Sequence, residues 1–268
     1  MRARGPLCVG IDPHPALLRS WGLADDVAGL ERFGRTVVAA LADRVAVVKP
    51  QTAFYERFGS RGIAVLESTI RQLREAGALV LLDAKRGDIG STAVAYADAY
   101  LDPASPLSVD ALTASPYLGV DAMRPMVDKA ISHGCGVFVL ALTSNPEARP
   151  LQHARRADGR TVAQAVIDEV AQVNAGVSPL GDIGVVIGAT VGETGHDLTN
   201  LNGPMLAPGL GAQGGRPEDL RTVFGGELSA VLPAYSREVL NHGPSVTGLR
   251  DAAARVLAEC RAAIGYDA

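Results

Sequence analysis

The sequence predicts an α/β fold, a single-domain (β/α)8 TIM barrel over residues 1–268. Three observations predict it. Eight short apolar runs alternate with helix-period segments along the chain. Most of the runs are nearly continuous in Val, Leu, Ile and Ala, as parallel strands covered on both faces are. No G-x-G-x-x-G follows the first run, which weighs against the alternative, an open doubly wound sheet.

The first strand is read in LCVGID (7–12), and Leu30, Phe33, Val37 and Leu41 then recur at helical spacing. The second is VAVVKP (45–50), followed by a stripe of Leu66, Ile70 and Leu73 that stops at Gly77. LVLLDAK (79–85) is the third and VDALTAS (109–115) the fourth; Met123, Val127, Ala130 and Ile131 then lead to Gly134. The fifth strand is GVFVLALT (136–143). The polar stretch 144–161 is too long for an ordinary connection and predicts a surface excursion or mobile loop over one face. Val162, Val166, Val170 and Val173 mark the next helix, and IGVVIGAT (183–190) the sixth strand. VGETGHDLTNLNG (191–203) offers only a short helix, so this unit is the least regular of the eight. PMLAPGL (204–210) and SAVLPAYS (229–236) complete the barrel, and Leu249, Ala253, Val256, Leu257, Cys260 and Ile264 define a final helix. These stripes read as core packing. No linker or internal repeat divides the chain.

With 268 residues, 47% of them hydrophobic and 20% charged, the chain can bury a sizeable core. A formal charge of −4 provides no global basic field, so no nucleic-acid partner is expected. No charged and apolar leader and no run of 18 apolar residues occurs, so neither a secretory signal nor a membrane span is expected. Cys8, Cys135 and Cys260 form no C-x-x-C pair and read as reduced thiols of a cytoplasmic protein. The five histidines are scattered without ligand spacing, so no metal site is expected.

Lysine usage is more informative. Of 25 basic residues only Lys49, Lys85 and Lys129 are lysine. A lysine kept against such a bias marks a place where a compact ammonium is needed. Lys129, on a helix face that reads as solvated, fits chance survival instead.

In a barrel of this type the reacting groups sit at the C-terminal strand ends. There the sequence places Asp12, then Lys49 and Gln51, then Asp83 and Lys85. Alternation puts Asp83 and Lys85 on one face, and strands about 4.8 Å apart let all four charges meet in one cluster. A structural ion-pair network is the rival reading, but desolvating four ions is costly and apolar packing would serve as well. At the other end of the chain, PGLGAQGG (208–215) follows the seventh strand and Arg237 the eighth. Backbone N–H groups of Gly211 and its neighbours, the Gln213 amide and the Arg237 guanidinium suit a phosphate at the usual anion site of this fold.

These residues bring a resemblance into view. DAKRGDIGSTA (83–93) matches the D-x-K-x-x-D-I-x-x-T signature of the orotidine 5′-phosphate decarboxylase family. VGIDP, VKPQTAFYERFG, SPYLG and PGLGAQGG resemble companion segments of its longer-chain branch, in order, from about residue 7 to about 240. The resemblance implies a homodimer with shared active sites and cofactor-free conversion of orotidine 5′-phosphate to uridine 5′-phosphate and CO2. By position, Lys85 is the implied proton donor, flanked by Asp83, with Lys49 completing the array. Asp88 would enter the partner subunit's site, with Ile89 and Thr92 beside it and Thr92 on the ribose. Asp12 and Lys49 would bind ribose hydroxyls, and Gly211, Gln213 and Arg237 the phosphate. Ser115, or its neighbour Thr113, would contact the pyrimidine, and Gln51 is a further polar contact.

The chemistry suits such an array. Loss of CO2 from C6 leaves an electron pair with no adjacent carbonyl to absorb it, a problem many decarboxylases give to a cofactor. A fixed ammonium can stabilise that carbanion and then protonate it. Three rivals remain on the same sequence. They are a metal-dependent sugar-phosphate decarboxylase or epimerase, a Schiff-base aldolase using Lys85, and a non-catalytic phosphate-binding protein.

Overall fold

The computed structural model describes residues 3–266, so the outermost two positions at each end of the predicted unit lie outside the described residues. The chain runs through β1 (Cys8–Ile11), α1 (Pro15–Ser20), α2 (Val27–Leu41), β2 (Val47–Pro50), α3 (Ala53–Glu56) and α4 (Gly59–Glu75). It continues with β3 (Leu79–Arg86), α5 (Gly90–Leu101), β4 (Ala111–Ala114), α6 (Arg124–His133), β5 (Gly136–Leu142), α7 (Arg149–Gln152) and α8 (Val162–Val173). The last third comprises β6 (Ile183–Ile187), β7 (Met205–Pro208), α9 (Asp219–Phe224), β8 (Val231–Tyr235), α10 (Arg237–Leu240) and α11 (Val246–Ile264). The strands close in the order β1 to β8, every pair parallel. All eight predicted strands form, each within its predicted span except that β3 extends one residue to Arg86.

Two apolar layers follow from the period of two along each strand. Outward residues such as Val9, Val48, Val80 and Leu82 pack against the helices. Inward residues, among them Cys8, Val47, Leu81, Phe138, Leu206 and Leu232, fill the barrel interior. The predicted helix stripes lie on the outer layer with three departures. Ile131 is 48% exposed, whereas Met126, Val127 and Ala130 form the buried face of α6. The short helix expected after β6 does not form; two side chains hold that segment instead. Gln164 exchanges hydrogen bonds with the backbone of Asp197, and Asn174 donates to the carbonyls of Ile183 and Leu201. Lys129 lies on a solvent-open face as expected but is not an idle survivor there: it bridges α6 to α5 by donating to Asp98 and Asp102.

The excursion at 144–161 is largely exposed but locally folded. It carries α7 and an isolated antiparallel bridge from Arg155 to Thr161. Gln152 fastens it to the end of β5, accepting from the Thr143 N–H at 2.9 Å and donating to its hydroxyl at 3.0 Å.

Candidate active site

The inward phase that fills the barrel with Cys8, Val47 and Leu81 continues upward. Two residues on it gives Gly10, Lys49 and Asp83, and four gives Asp12, Gln51 and Lys85. The pairing of Gly10 with Lys49 puts these steps level across β1 and β2. Lys49 donates to Asp83 Oδ2 at 2.8 Å, and Lys85 to Asp83 Oδ1 at 2.5 Å. The result is a row of Lys49, Asp83 and Lys85, with Lys49 and Asp83 buried and the Lys85 side chain 45% exposed at the open end.

Burial disfavours charge on both Lys49 and Asp83, and their mutual attraction overrides it. The Asp83 carboxylate raises the pKa of Lys49, and Lys49 with Lys85 holds the Asp83 carboxyl well below the usual carboxylate range. A depressed carboxyl stays ionised as pH falls through the range where ordinary carboxylates titrate, so the row keeps its alternating charge in mild acid. Beneath it, burial pushes the Cys8 thiol up to about 12, so that group is an inert filler.

The end of β3 is irregular in a way that aims Lys85. Its register against β4 shifts between Leu82 and Arg86, and Lys85 itself adopts φ +48°, a left-handed conformation uncommon outside glycine. Thr113 on β4 secures this bulge. Its hydroxyl accepts from Ala84 N–H at 3.0 Å and Lys85 N–H at 2.9 Å, and donates to Asp83 Oδ1 at 3.0 Å. A hydroxyl has one proton and two lone pairs, so Thr113 is fully engaged. Ser115, next on the same face and half-buried, is the residue of the two with its hydroxyl uncommitted to a neighbour among the described residues. Thr113→Val keeps the shape, removes a donor to Asp83 and leaves two N–H groups without their acceptor. The expected loss of unfolding free energy is roughly 2–3 kcal/mol in denaturant titration. Wild-type stability in that variant would remove Thr113 as the anchor.

Three of the four expected charges are in direct contact, and the fourth, Asp12, lies close enough for its charge to help raise the pKa of Lys49. Asp12 has no lysine or arginine within 4.0 Å among the described residues, because its carboxylate leans back over Gly10. A Cβ at Gly10 would lie 3.1 Å from Asp12 Oδ2 and 3.0 Å from Ser236 Cβ, so a larger residue there would crowd both side chains. Asp88 also stands apart from Lys85 in its own chain; its Oδ1 accepts from the Ile89 N–H at 2.8 Å. Ile89 and Thr92 are exposed beside it, and Gln51 is half-buried in a bridge to Asp83.

Across the mouth, the loop after β7 folds on itself through Gly211 N–H to Gly215 O at 2.8 Å and Gly215 N–H to Gly209 O at 3.0 Å. Gly211 has φ +70°, and a Cβ there would meet Glu238 Cβ at 2.7 Å. This glycine therefore lets the loop lie against α10, where Arg237 is the first residue, exposed and without an ion-pair partner among the described residues. Gln213 is exposed on the same loop.

Two residues at this mouth escaped the sequence reading. His14 Nε2 and Ser236 Oγ are buried without a partner among the described residues, as is Asp12 Oδ1. Ser236 could have been found, since it continues the inward phase of Leu232 and Ala234.

Known proteins bear on what this arrangement is. A profile of the orotidine 5′-phosphate decarboxylase / HUMPS family matches residues 5–252. An orotidine 5′-phosphate decarboxylase of Salinispora tropica is 72% identical over 261 residues, covering 97% of this chain and 94% of that one. One from Streptomyces coelicolor is 60% identical over 264 residues, 98% of this chain and 95% of that one. In solved structures, a Streptomyces avermitilis chain assigned to the same activity superposes with a TM-score of 0.96 at 60% identity, over 99% of this chain and 93% of its own. With its matched length, its closed barrel and the lysine–aspartate row on the inner strand faces, the chain belongs to the orotidine 5′-phosphate decarboxylase / HUMPS family.

Proposed function

We propose that this protein is a carboxy-lyase that converts orotidine 5′-phosphate to uridine 5′-phosphate and CO2, the last step of de novo pyrimidine biosynthesis. The observation that carries the reading is the row Lys49–Asp83–Lys85, with its buried members charged and its last ammonium open to the mouth. The C6–carboxylate bond breaks, CO2 leaves, and the electron pair stays on C6. Lys85 stabilises that pair and then delivers its proton to C6, regaining one from solvent. Lysine suits both tasks, since it is a point charge with transferable protons. Asp83 fixes the ammonium and opposes the substrate carboxylate. At about 4 Å and an intermediate dielectric that opposition is worth roughly 4 kcal/mol, but only stabilisation that grows toward the transition state accelerates the step.

In this reading Asp12 and Lys49 take ribose hydroxyls, Ser115 faces the pyrimidine, Gln51 adds a polar substrate contact, and Gly211, Gln213 and Arg237 hold the phosphate. Binding at the distant phosphate presses the ring onto the charged row. Lys85 enters as an ammonium paired to Asp83, whereas a Schiff-base nucleophile must be a neutral amine. The row needs no cofactor for the proton step.

The active unit in this reading is a homodimer in which Asp88, Ile89 and Thr92 complete the partner's site. Ile89, Val94, Tyr117 and Leu118 are 61%, 44%, 79% and 52% exposed, an unusual concentration of apolar side chains at one rim. Their segments are tied by the Ser115 N–H to Arg86 O bond at 2.9 Å. No helix among the described residues is long and apolar enough to cross a membrane, and the thiols of Cys8, Cys135 and Cys260 are free, in keeping with a cytoplasmic enzyme. The test is loss of ultraviolet absorbance when the purified protein meets orotidine 5′-phosphate with a chelator present. Turnover is expected at an undiminished rate; dependence on added divalent metal would favour the metal-dependent rival.

A further inference from the structure

His14 has no part in the assignments above, yet its environment is specific. It caps α1 with extended backbone, φ −72° and ψ 156°, and its Nδ1 accepts from the Leu17 N–H at 3.3 Å. A ring that accepts at Nδ1 carries its proton at Nε2. That Nε2 is buried and has no partner among the described residues. Burial, with the Arg237 guanidinium next, pushes the imidazole below its ordinary value, while Asp12 acts the other way. His14 is therefore a neutral donor in the segment after β1, which carries Asp12, beside the end of the neighbouring strand β8, which is followed by Arg237. Phe54 stands at its other side, the ring centroids 6.1 Å apart and tilted by 53°.

The plain alternative is a helix cap and nothing more. It leaves two facts without a reason. Asn, Asp and Ser are the better caps, needing only one short acceptor. And a cap has no use for a buried N–H on the far side of the ring, which is unfavourable unless something accepts from it. The neighbouring orphan atoms are complementary: Asp12 Oδ1 can only accept, as a ribose hydroxyl would require, whereas His14 Nε2–H can only donate.

We infer that His14 is a substrate-binding residue, its Nε2–H donating to an oxygen of the substrate's 5′-phosphate beside Arg237. The inference rests on the decarboxylase reading and deepens it. A phosphate oxygen is favoured over a ribose hydroxyl because β1 and β8 are neighbours, so the buried Nε2 stands at the same end of the barrel as Arg237, which has no ion-pair partner among the described residues, and a neutral donor beside a free guanidinium is suited to an anion.

The test separates the two nitrogens. Asparagine supplies an acceptor where Nδ1 stands and nothing where Nε2 stands; serine does the same by a shorter arm. His14→Asn and His14→Ser are compared with wild type in Tm, in kcat and KM for orotidine 5′-phosphate, and in Kd for uridine 5′-phosphate and for uridine. Both variants are expected to keep Tm while kcat/KM falls and the nucleotide Kd rises roughly tenfold, the worth of one hydrogen bond to a charged group. Uridine, lacking the phosphate, should bind each variant as it binds wild type. Nucleotide Kd and kcat/KM within twofold of wild type in both variants would reduce His14 to a cap, and equal losses for uridine and its phosphate would move the contact to the ribose. Both overturn the inference. Wild type is assayed first: its failure to turn over orotidine 5′-phosphate removes the decarboxylase reading, whereas turnover with unchanged variant affinities removes only the role of His14.

Discussion

Lys85→Ala is expected to lower kcat/KM for orotidine 5′-phosphate by on the order of 10⁴-fold or more, since in the proposed reaction it removes both the proton donor and the charge that faces the carbanion. The fold should hardly notice. The Lys85 side chain is 45% exposed, and its only ion-pair partner among the described residues, Asp83, keeps Lys49 at 2.8 Å. Lys85→Arg retains the charge but not the transferable proton, so it should recover little of the lost rate. Asp83→Asn makes the opposite contrast, because it strands Lys49 in a buried position without its counter-ion. Removing one member of a buried pair typically destabilises by about 3–5 kcal/mol. The alanine variant should then be inactive at near-native Tm, and Asp83→Asn both inactive and less stable. Absorbance assays beside thermal unfolding check both. If Lys85→Ala turned over within tenfold of wild type, the row would be structural, as the non-catalytic rival holds.

What the sequence made legible follows from which physical signals are periodic. All eight strands were readable because apolar runs covered on both faces have no polar interruption until their C-terminal ends. The same alternation placed Lys49, Asp83 and Lys85 on the inner face, where they meet. Departures arose where a single contact overrides the period. α5 has no broad apolar stripe, since its buried positions include Ala93 and Ala97, and it was not singled out. The segment after β6 is held by Gln164 and Asn174, long-range side-chain bonds with no local signature. The bulge at Lys85 depends on Thr113, 28 residues away, and a lysine at φ +48° carries no mark in the sequence. Asp12 was expected in the cluster from its strand-end position and the strand spacing; its charge reaches Lys49, but its carboxylate lies over Gly10 and makes no direct ion pair among the described residues, a detail with no mark in the sequence. His14 looked like one scattered histidine among five.

A mixture of two inactive variants should regain activity if the site is shared. Asp88 makes its bond to the Ile89 N–H and has no ion pair with Lys85 in its own chain, so Asp88→Ala is expected to fold normally and to lose most activity. Combine it with Lys85→Ala in equal amounts under conditions that exchange subunits. Half of the dimers are then hybrids, and in each hybrid one site receives Lys85 from one chain and Asp88 from the other. The second site lacks both. Activity should thus recover to about one quarter of wild type, from a base near zero, as two-fold symmetry requires. Were Asp88 to serve its own chain, every site in a hybrid would lack one group and mixing would recover nothing. The same experiment tests the apolar rim. Tyr117→Asp puts a charge on a side chain that is 79% exposed in one chain, so a monomer tolerates it. Buried in a dimer, that charge has no partner and opposes association, and sedimentation should show the protomers parting as activity falls.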